Sequence, residues 1–320
     1  MKSYIDWRVR LTVSILAGAS PCLAQLPDME VVPPPMQFES SEAHYQYLLE
    51  QAGGGTKHSI ESVPQWLGIW EIARANSLND TFLDADDNIR PGILTQPYEE
   101  HFRERRRQIE ETGQQFYDRL THCEPAGYPR NLMEPYVREF VNLPHQSWNM
   151  NDLANEIRRV YISDEHVNLT GGHTWLGDTI GFWDGDRLIT HTVDVQPVDY
   201  FRGYPITSNQ FEGVEIWELK TFEDGQQRLE VQATFYDFYA LQKPVSIVYG
   251  YTPALGHMQA GVRIRHFECA TNANSYLAED GTTQFYLPGE EGYTDPRGST
   301  MFPDVPGQSR DPVFNVGLTD

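Results

Sequence analysis

The chain has 320 residues, of which 46 are aspartate or glutamate and 24 are lysine or arginine, a formal net charge of −22. That balance excludes nucleic acid and anionic lipid as main partners, because both demand clustered positive charge. Its plain consequence is solubility, with attraction of a cationic ligand as the alternative.

Residues 1–24 read as an export signal. Lys2, Arg8 and Arg10 supply the positive start, Leu11 to Ala19 a short apolar run, and Cys22-Leu23-Ala24 a small-residue cleavage site before Gln25. The run is well short of the roughly 20 residues a membrane-spanning helix needs, so no membrane span is expected. Lipoprotein modification at Cys22 is the rival reading, and Pro21 disfavours it. Cleavage removes three positive charges and one negative, taking the mature chain from −22 to −24. A periplasmic or secreted location follows.

Residues 25–65 form an N-terminal arm. Pro33-Pro34-Pro35 keeps its start extended; Ser40 to Gln51 then reads as a short helix, capped by Ser40 or Ser41, with Tyr45, Leu48 and Leu49 on one side and Gly53-Gly54-Gly55 ending it. Residues 66–274 are expected to form one mainly β domain. Its first strand opens at Trp66-Leu67-Gly68-Ile69-Trp70. One long helix is expected over 97–119, with Pro97 in its first turn and Glu99-Glu100 favouring the positive end of the dipole. Its Arg103 to Arg107 run reads as a solvated face.

From Tyr136 onward the pattern is of short alternating segments, with strands near 137–143, 157–163, 178–183, 187–195, 213–222, 227–237, 245–251 and 262–269. With the Trp66–Ile72 strand this makes about nine. Asp184-Gly185 and Glu223-Asp224-Gly225 are hairpin turns, since aspartate and glycine tolerate the positive φ such turns need. Regular hairpins with little intervening helix predict an antiparallel barrel or a sandwich. Residues 275–320, rich in Gly, Pro and Asp, read as an irregular C-terminal tail.

Cys123 and Cys269 are the cysteines left after cleavage, and in an oxidising compartment two leftover cysteines pair. Closing so long a loop is worth about 4 kcal/mol in the chain-entropy model. Neither sits in a C-x-x-C spacing, so no zinc–thiolate site is expected. Asp84 to Asn88 copies the start of a calcium loop, but Ile89 stands where glycine is required and Thr95 where glutamate closes the loop. No phosphate loop, dinucleotide fingerprint or H-E-x-x-H pair is present, and neither a metal nor a cofactor is expected. Asn79-Asp80-Thr81 and Asn168-Leu169-Thr170 fit the glycosylation pattern, which matters only in a eukaryotic host.

Alternation singles out the candidate chemistry. In the 187–195 strand Ile189, His191, Val193 and Val195 point one way, placing an imidazole among aliphatic neighbours. In 227–237 Asp237 continues the side of Leu229, Val231, Ala233 and Phe235. His191 as general base, Asp237 as its orienter, and Tyr161 or Arg159 as stabiliser of negative charge make a candidate constellation. Glu215 and Glu218 stand behind them. The plainer alternative is one hydrogen-bonded polar pair inside a sheet. Trp70, Trp175, Trp183 and Trp217, with His173 in its glycine-bearing loop and Glu218, are the candidate ligand-binding residues.

These motifs carry a resemblance. Trp175 to Thr192, WLGDTIGFWDGDRLITHT, is similar to the hallmark Y-x-G-x-S-x-G-x-W-[DE]-G-D-T-L-V-V-[DE]-T of a group of exported bacterial proteins of unestablished function. Cys123 to Arg130 resembles its C-x-P-x-G-x-P-R element, and Arg158-Arg159-Val160-Tyr161 its R-R-I-Y strand; the likeness covers about residues 66–250. Thr179 stands for the serine, Arg187 for a threonine and His191 for an acidic residue. Gly68-Ile69-Trp70 also resembles the G-x-W opening of lipocalin-type barrels, which implies a cup for hydrophobic small molecules. Three functions are open: binding such a molecule, cofactor-independent catalysis (a hydrolase, lyase or isomerase) in the same cavity, or docking a partner, with room for an oligomer.

Overall fold

A computed structural model describes residues 26–75, 81–113, 118–167, 171–201, 204–267, 269, 274–279 and 282–293. The expected export signal, the Asn168-Leu169-Thr170 pattern, Asn79 and Asp80 of the other glycosylation pattern, and the last 27 residues of the tail lie outside them. Among the described residues no helix is long and apolar enough to cross a membrane.

Nine strands close into a barrel: β1 (Ile69–Ala75), β2 (Arg138–Leu143), β3 (Gln146–Asn151), β4 (Ile157–Ile162), β5 (Asp178–Asp184), β6 (Arg187–Val193), β7 (Phe211–Thr221), β8 (Gln227–Asp237) and β9 (Val245–Pro253). Neighbours follow chain order and β9 returns to β1, so closure rather than a sandwich removes the sheet edges. The Asp184-Gly185 turn forms as expected, with Gly185 at φ +58°. One junction departs from the antiparallel expectation: β4 and β5 run parallel and pair only at Tyr161–Ile180 and Ile162–Gly181.

Nine strands were expected, but two of the segments differ. β3 carries Ser147, Asn149 and Asn151 on its buried side, so polar residues hide the alternation that marks a strand. The segment 262–269 is not a strand in its described residues, because β1 already occupies the free edge of β9. It is held instead by side chains: Arg263 pairs with Glu139, and the Phe267 N–H donates to Asn155. The tail is also less irregular than expected, since β10 (Ser275–Leu277) and β11 (Thr283–Phe285) pair as a small hairpin.

Helix α1 (Ser41–Gln51) forms where expected, with Ser40 Oγ accepting from the Ala43 N–H. Helix α2 (Gln96–Thr112) ends seven residues earlier than expected, at Gly113, whose φ of +70° is the left-handed cap that glycine tolerates. A five-residue helix, α3 (Leu255–Gln259), follows β9.

Two apolar clusters divide the wall. Trp66, Trp70, Phe140, Trp183, Trp217 and Tyr251 pack inside the barrel. Trp66 stacks on Trp217 at 5.9 Å, and Trp217 on Tyr251 at 6.2 Å. Outside, Ile180, Phe182, Ile189, Val214 and Tyr236 are covered by Tyr45 of α1, with Leu48 and Leu49 beside it. Each side chain so covered contributes roughly 1.5–3 kcal/mol, which holds the arm on the wall.

Candidate functional site

The parallel junction makes an opening. Because β4 and β5 pair only at the ends nearest Tyr161 and Ile180, Ile157–Arg159 and Asp178–Thr179 diverge. The segment entering β5 is fixed by Gly177, which has φ +69°; a Cβ there would lie 2.5 Å from the Val193 carbonyl oxygen. The result is a cleft of about 440 Å³, whose lining includes Pro125, Glu156, Arg158, Arg159, Tyr161 and Trp175.

Its outer wall carries Arg159, whose guanidinium lies 4.6 Å over the Trp148 ring and donates to Tyr161 Oη at 3.4 Å. Arg119 lies 4.0 Å over the Trp175 ring, and the Trp175 carbonyl accepts from the Tyr128 N–H at 2.7 Å. Trp175 is thus gripped from both sides of its backbone and ring.

The inner end is polar. Residues 156, 158 and 160 alternate toward the interior, and all three are buried. Arg158 donates through Nη1 to both oxygens of Glu215, at 3.1 and 2.9 Å, and through Nη2 to Thr192 at 2.8 Å. Thr190 and the Trp217 indole N–H also donate to Glu215 Oε2. Arg158 Nε has no hydrogen-bond partner among the described residues. Glu156 is 3% exposed; one oxygen accepts from the Gly127 N–H at 2.8 Å and the other, Oε2, has no partner among the described residues. Burial pushes this carboxyl up to about 7; the Gly127 hydrogen bond, Arg138 and Arg130 act downward, and Glu134 acts upward.

A larger hollow, about 860 Å³, lies between the arm and the far end of the barrel, lined in part by Met29, Leu67, Arg228, Leu255 and Met258. None of its lining residues carries an unpartnered buried side-chain atom among those described. The smaller cleft is the better site, because convergent buried polar groups and a perturbed carboxyl mark functional pockets more than volume does.

The expected His191–Asp237 pair does not form. His191 is 2% exposed, but its side of β6 faces α1 rather than the lumen: its ring stacks on Tyr45 at 5.3 Å. Its Nε2 lies 2.8 Å from Ser41 Oγ and its Nδ1 3.1 Å from His166 Nε2. Ser41 donates its proton to Glu212, so its oxygen accepts from His191 Nε2–H, leaving Nδ1 to accept from His166. Burial, with His166 and His44 repelling, lowers His191 to about 3, which makes it a weak base. Glu42 Oε2 stands 3.5 Å from Nδ1. His166 Nδ1 lies 3.3 Å from Asp178, itself on the rim of the cleft, so the histidines adjoin the site without lining it. Asp237 is a turn cap: it accepts from Ser208 N–H and Oγ, Tyr239 N–H and Ala240 N–H.

The remaining expected residues divide in the same way. Arg159, Tyr161 and Trp175 come together in the cleft. Trp70, Trp183 and Trp217 fill the interior instead. His173 is tied by its ring to the Asn209 carbonyl at 2.9 Å, and Glu218 is exposed on β7. Cys123 and Cys269 are bonded, with Cα atoms 5.7 Å apart and a sequence separation of 146. Glu156 escaped the sequence reading; its signal was the alternation with Arg158 and Val160.

No protein-family model matches the chain, and no curated protein matches it in sequence. Among the described residues no group of three or more His, Cys, Asp or Glu side chains is arranged to hold a metal ion.

Proposed function

We propose that this is an exported protein that binds a small, largely hydrophobic molecule in the cleft where β4 and β5 diverge. The observation that carries the reading is the cleft itself: a volume within the range of ligand pockets, apolar walls from Pro125, Ile157, Trp175 and Leu176, and a few placed polar groups. Arg159 offers a cation at its mouth in a strongly acidic protein. The tryptophans inside the barrel pack on one another, so the ligand enters from the side of the wall rather than down the axis. Export rests on the signal-like start of the chain, and kinship with the exported bacterial group on the 175–192 hallmark.

The test is titration with anilinonaphthalene sulfonate, an apolar aromatic with one anionic group. The wild type should give saturable fluorescence enhancement, and both Arg159→Ala and Leu176→Trp, which respectively remove the cation and fill the cleft, should weaken it by roughly tenfold, about the loss of one polar or packing contact. Equal binding by all three proteins would place the dye, and the site, elsewhere.

A further inference from the structure

The inner end of the cleft holds two buried atoms that nothing among the described residues satisfies. Glu156 Oε2 and Arg158 Nε are on residues two apart on the same side of the chain, both line the cleft, and both lack a hydrogen-bond partner among the described residues. Buried polar atoms are paired as a rule, so two orphans at the end of one cleft call for a common partner. Neither side chain is free to turn away. Arg158 is pinned by Glu215 and Thr192, and Glu156 by the Gly127 N–H.

We propose that this end of the cleft is a carboxylate subsite, in which Arg158 Nε–H and the Glu156 carboxyl grip the head group of an amphiphilic carboxylate whose apolar body lies against Ile157, Leu176 and Trp175. The inference rests on the binding function proposed above and adds the ligand's class. Arg158 donates through Nε. Glu156, in its acid form, donates through Oε2, which shares one proton between two carboxyl groups. A fixed cationic donor and a buried acid are together complementary to an anion, whereas ionised Glu156 would repel it.

The chemistry therefore predicts coupling to pH. Glu156 sits near 7 through burial, with Glu134, Arg130, Arg138 and Arg158 around it, and Asp178 and Asp194 on the facing side of the cleft. Below that value the acid is formed and the head group is held; above it, each pH unit removes roughly tenfold in affinity.

Calorimetry on the full chain with octanoate and with 1-octanol tests the subsite. At about pH 6 octanoate should bind at least tenfold more tightly than octanol, and by about pH 9 that advantage should be gone. Glu156→Gln, which keeps the Gly127 contact, should hold octanoate with a flat profile over the same range. A second measurement needs no variant: near pH 8, octanoate binding to the wild type should take up close to one proton, read from the dependence of heat on buffer, and octanol none. A flat wild-type profile with no proton uptake, or equal affinity for octanol and octanoate at the lower pH, overturns the subsite. If octanol still displaces the sulfonate dye, the cleft stands as a binding site and only its carboxylate end falls; if neither compound displaces it, both readings fall.

Discussion

Arg158 and Glu215 meet inside the barrel as an ion pair whose side chains are 2% and 0% exposed, with Nη1 2.9 Å from one carboxylate oxygen and 3.1 Å from the other. The Tyr128 ring lies 4.5 Å from the guanidinium, so the pair is shielded on that side as well. Desolvation of two charges offsets most of their attraction, yet removing one partner strands the other. Arg158→Met should therefore cost roughly 3–5 kcal/mol in urea unfolding, and Glu215→Leu a similar amount. The double variant should cost clearly less than the two added together. Additive losses would show that the two side chains act independently.

The Cys123–Cys269 bond joins the loop before β2 to the segment after β9, two parts of the chain that share no strand pairing. Its main effect is on the unfolded chain, whose freedom it restricts. Cys123→Ser with Cys269→Ser should lower stability by roughly 2–5 kcal/mol while leaving the barrel intact by circular dichroism. A change below about 0.5 kcal/mol would show that the unfolded ensemble is already compact across this loop.

His44 on α1 and His191 on the wall beneath it are buried in the seam between helix and barrel, and burial lowers their pKa values to about 4 and about 3. Each stays neutral in the folded protein as pH falls through 6.5, while the unfolded chain takes up the proton. Their share of stability is therefore complete above about pH 6.5 and is lost as pH falls toward 3–4, by up to about 1.4 kcal/mol per unit for each. Glu156, raised rather than lowered, works in the opposite sense between about 4.5 and 7, so the total profile mixes both. The difference between wild type and His191→Gln isolates the histidine. That difference should shift in favour of the variant as pH falls below 6.5, and hydrogen exchange in Ala43–Gln51 should show where the loss occurs. A difference independent of pH between about 7.5 and 5 would contradict the assignment.

Much of the wall was legible in the sequence because the Asp184-Gly185 and Asp224-Gly225 turns fix register between strands of plain alternation. What alternation cannot say is which side of a strand is the lumen when both sides are covered. His191 and Ile189 do share an apolar face, but α1 lies on it, so the histidine is buried in a seam outside the barrel. β3 was hidden for a different reason: its buried positions, Ser147, Asn149 and Asn151, are polar, so its pattern reads as a loop. The cleft follows from a fact of topology, the parallel β4–β5 junction, to which no local motif points. Arg159, Tyr161 and Trp175 were singled out by residue type alone, the first two as stabilisers of negative charge and the third as an aromatic, and the junction brings them together.

Gly177 carries the turn into β5 and so sets the width of the cleft. Alanine there meets both a left-handed backbone and the Val193 carbonyl, and should cost roughly 1–3 kcal/mol. It should also weaken sulfonate-dye binding, because Trp175 and Leu176 precede it directly. Unaltered stability and binding would mean that the backbone relaxes freely at this point.

The most direct test of the binding cleft is to follow backbone amide resonances while the sulfonate dye is added. Shifts confined to residues 156–161 and 174–179 are the expected result. Shifts centred on Met29, Leu67, Leu255 and Met258 around the larger hollow, or spread along the exposed face of α2, would contradict the account.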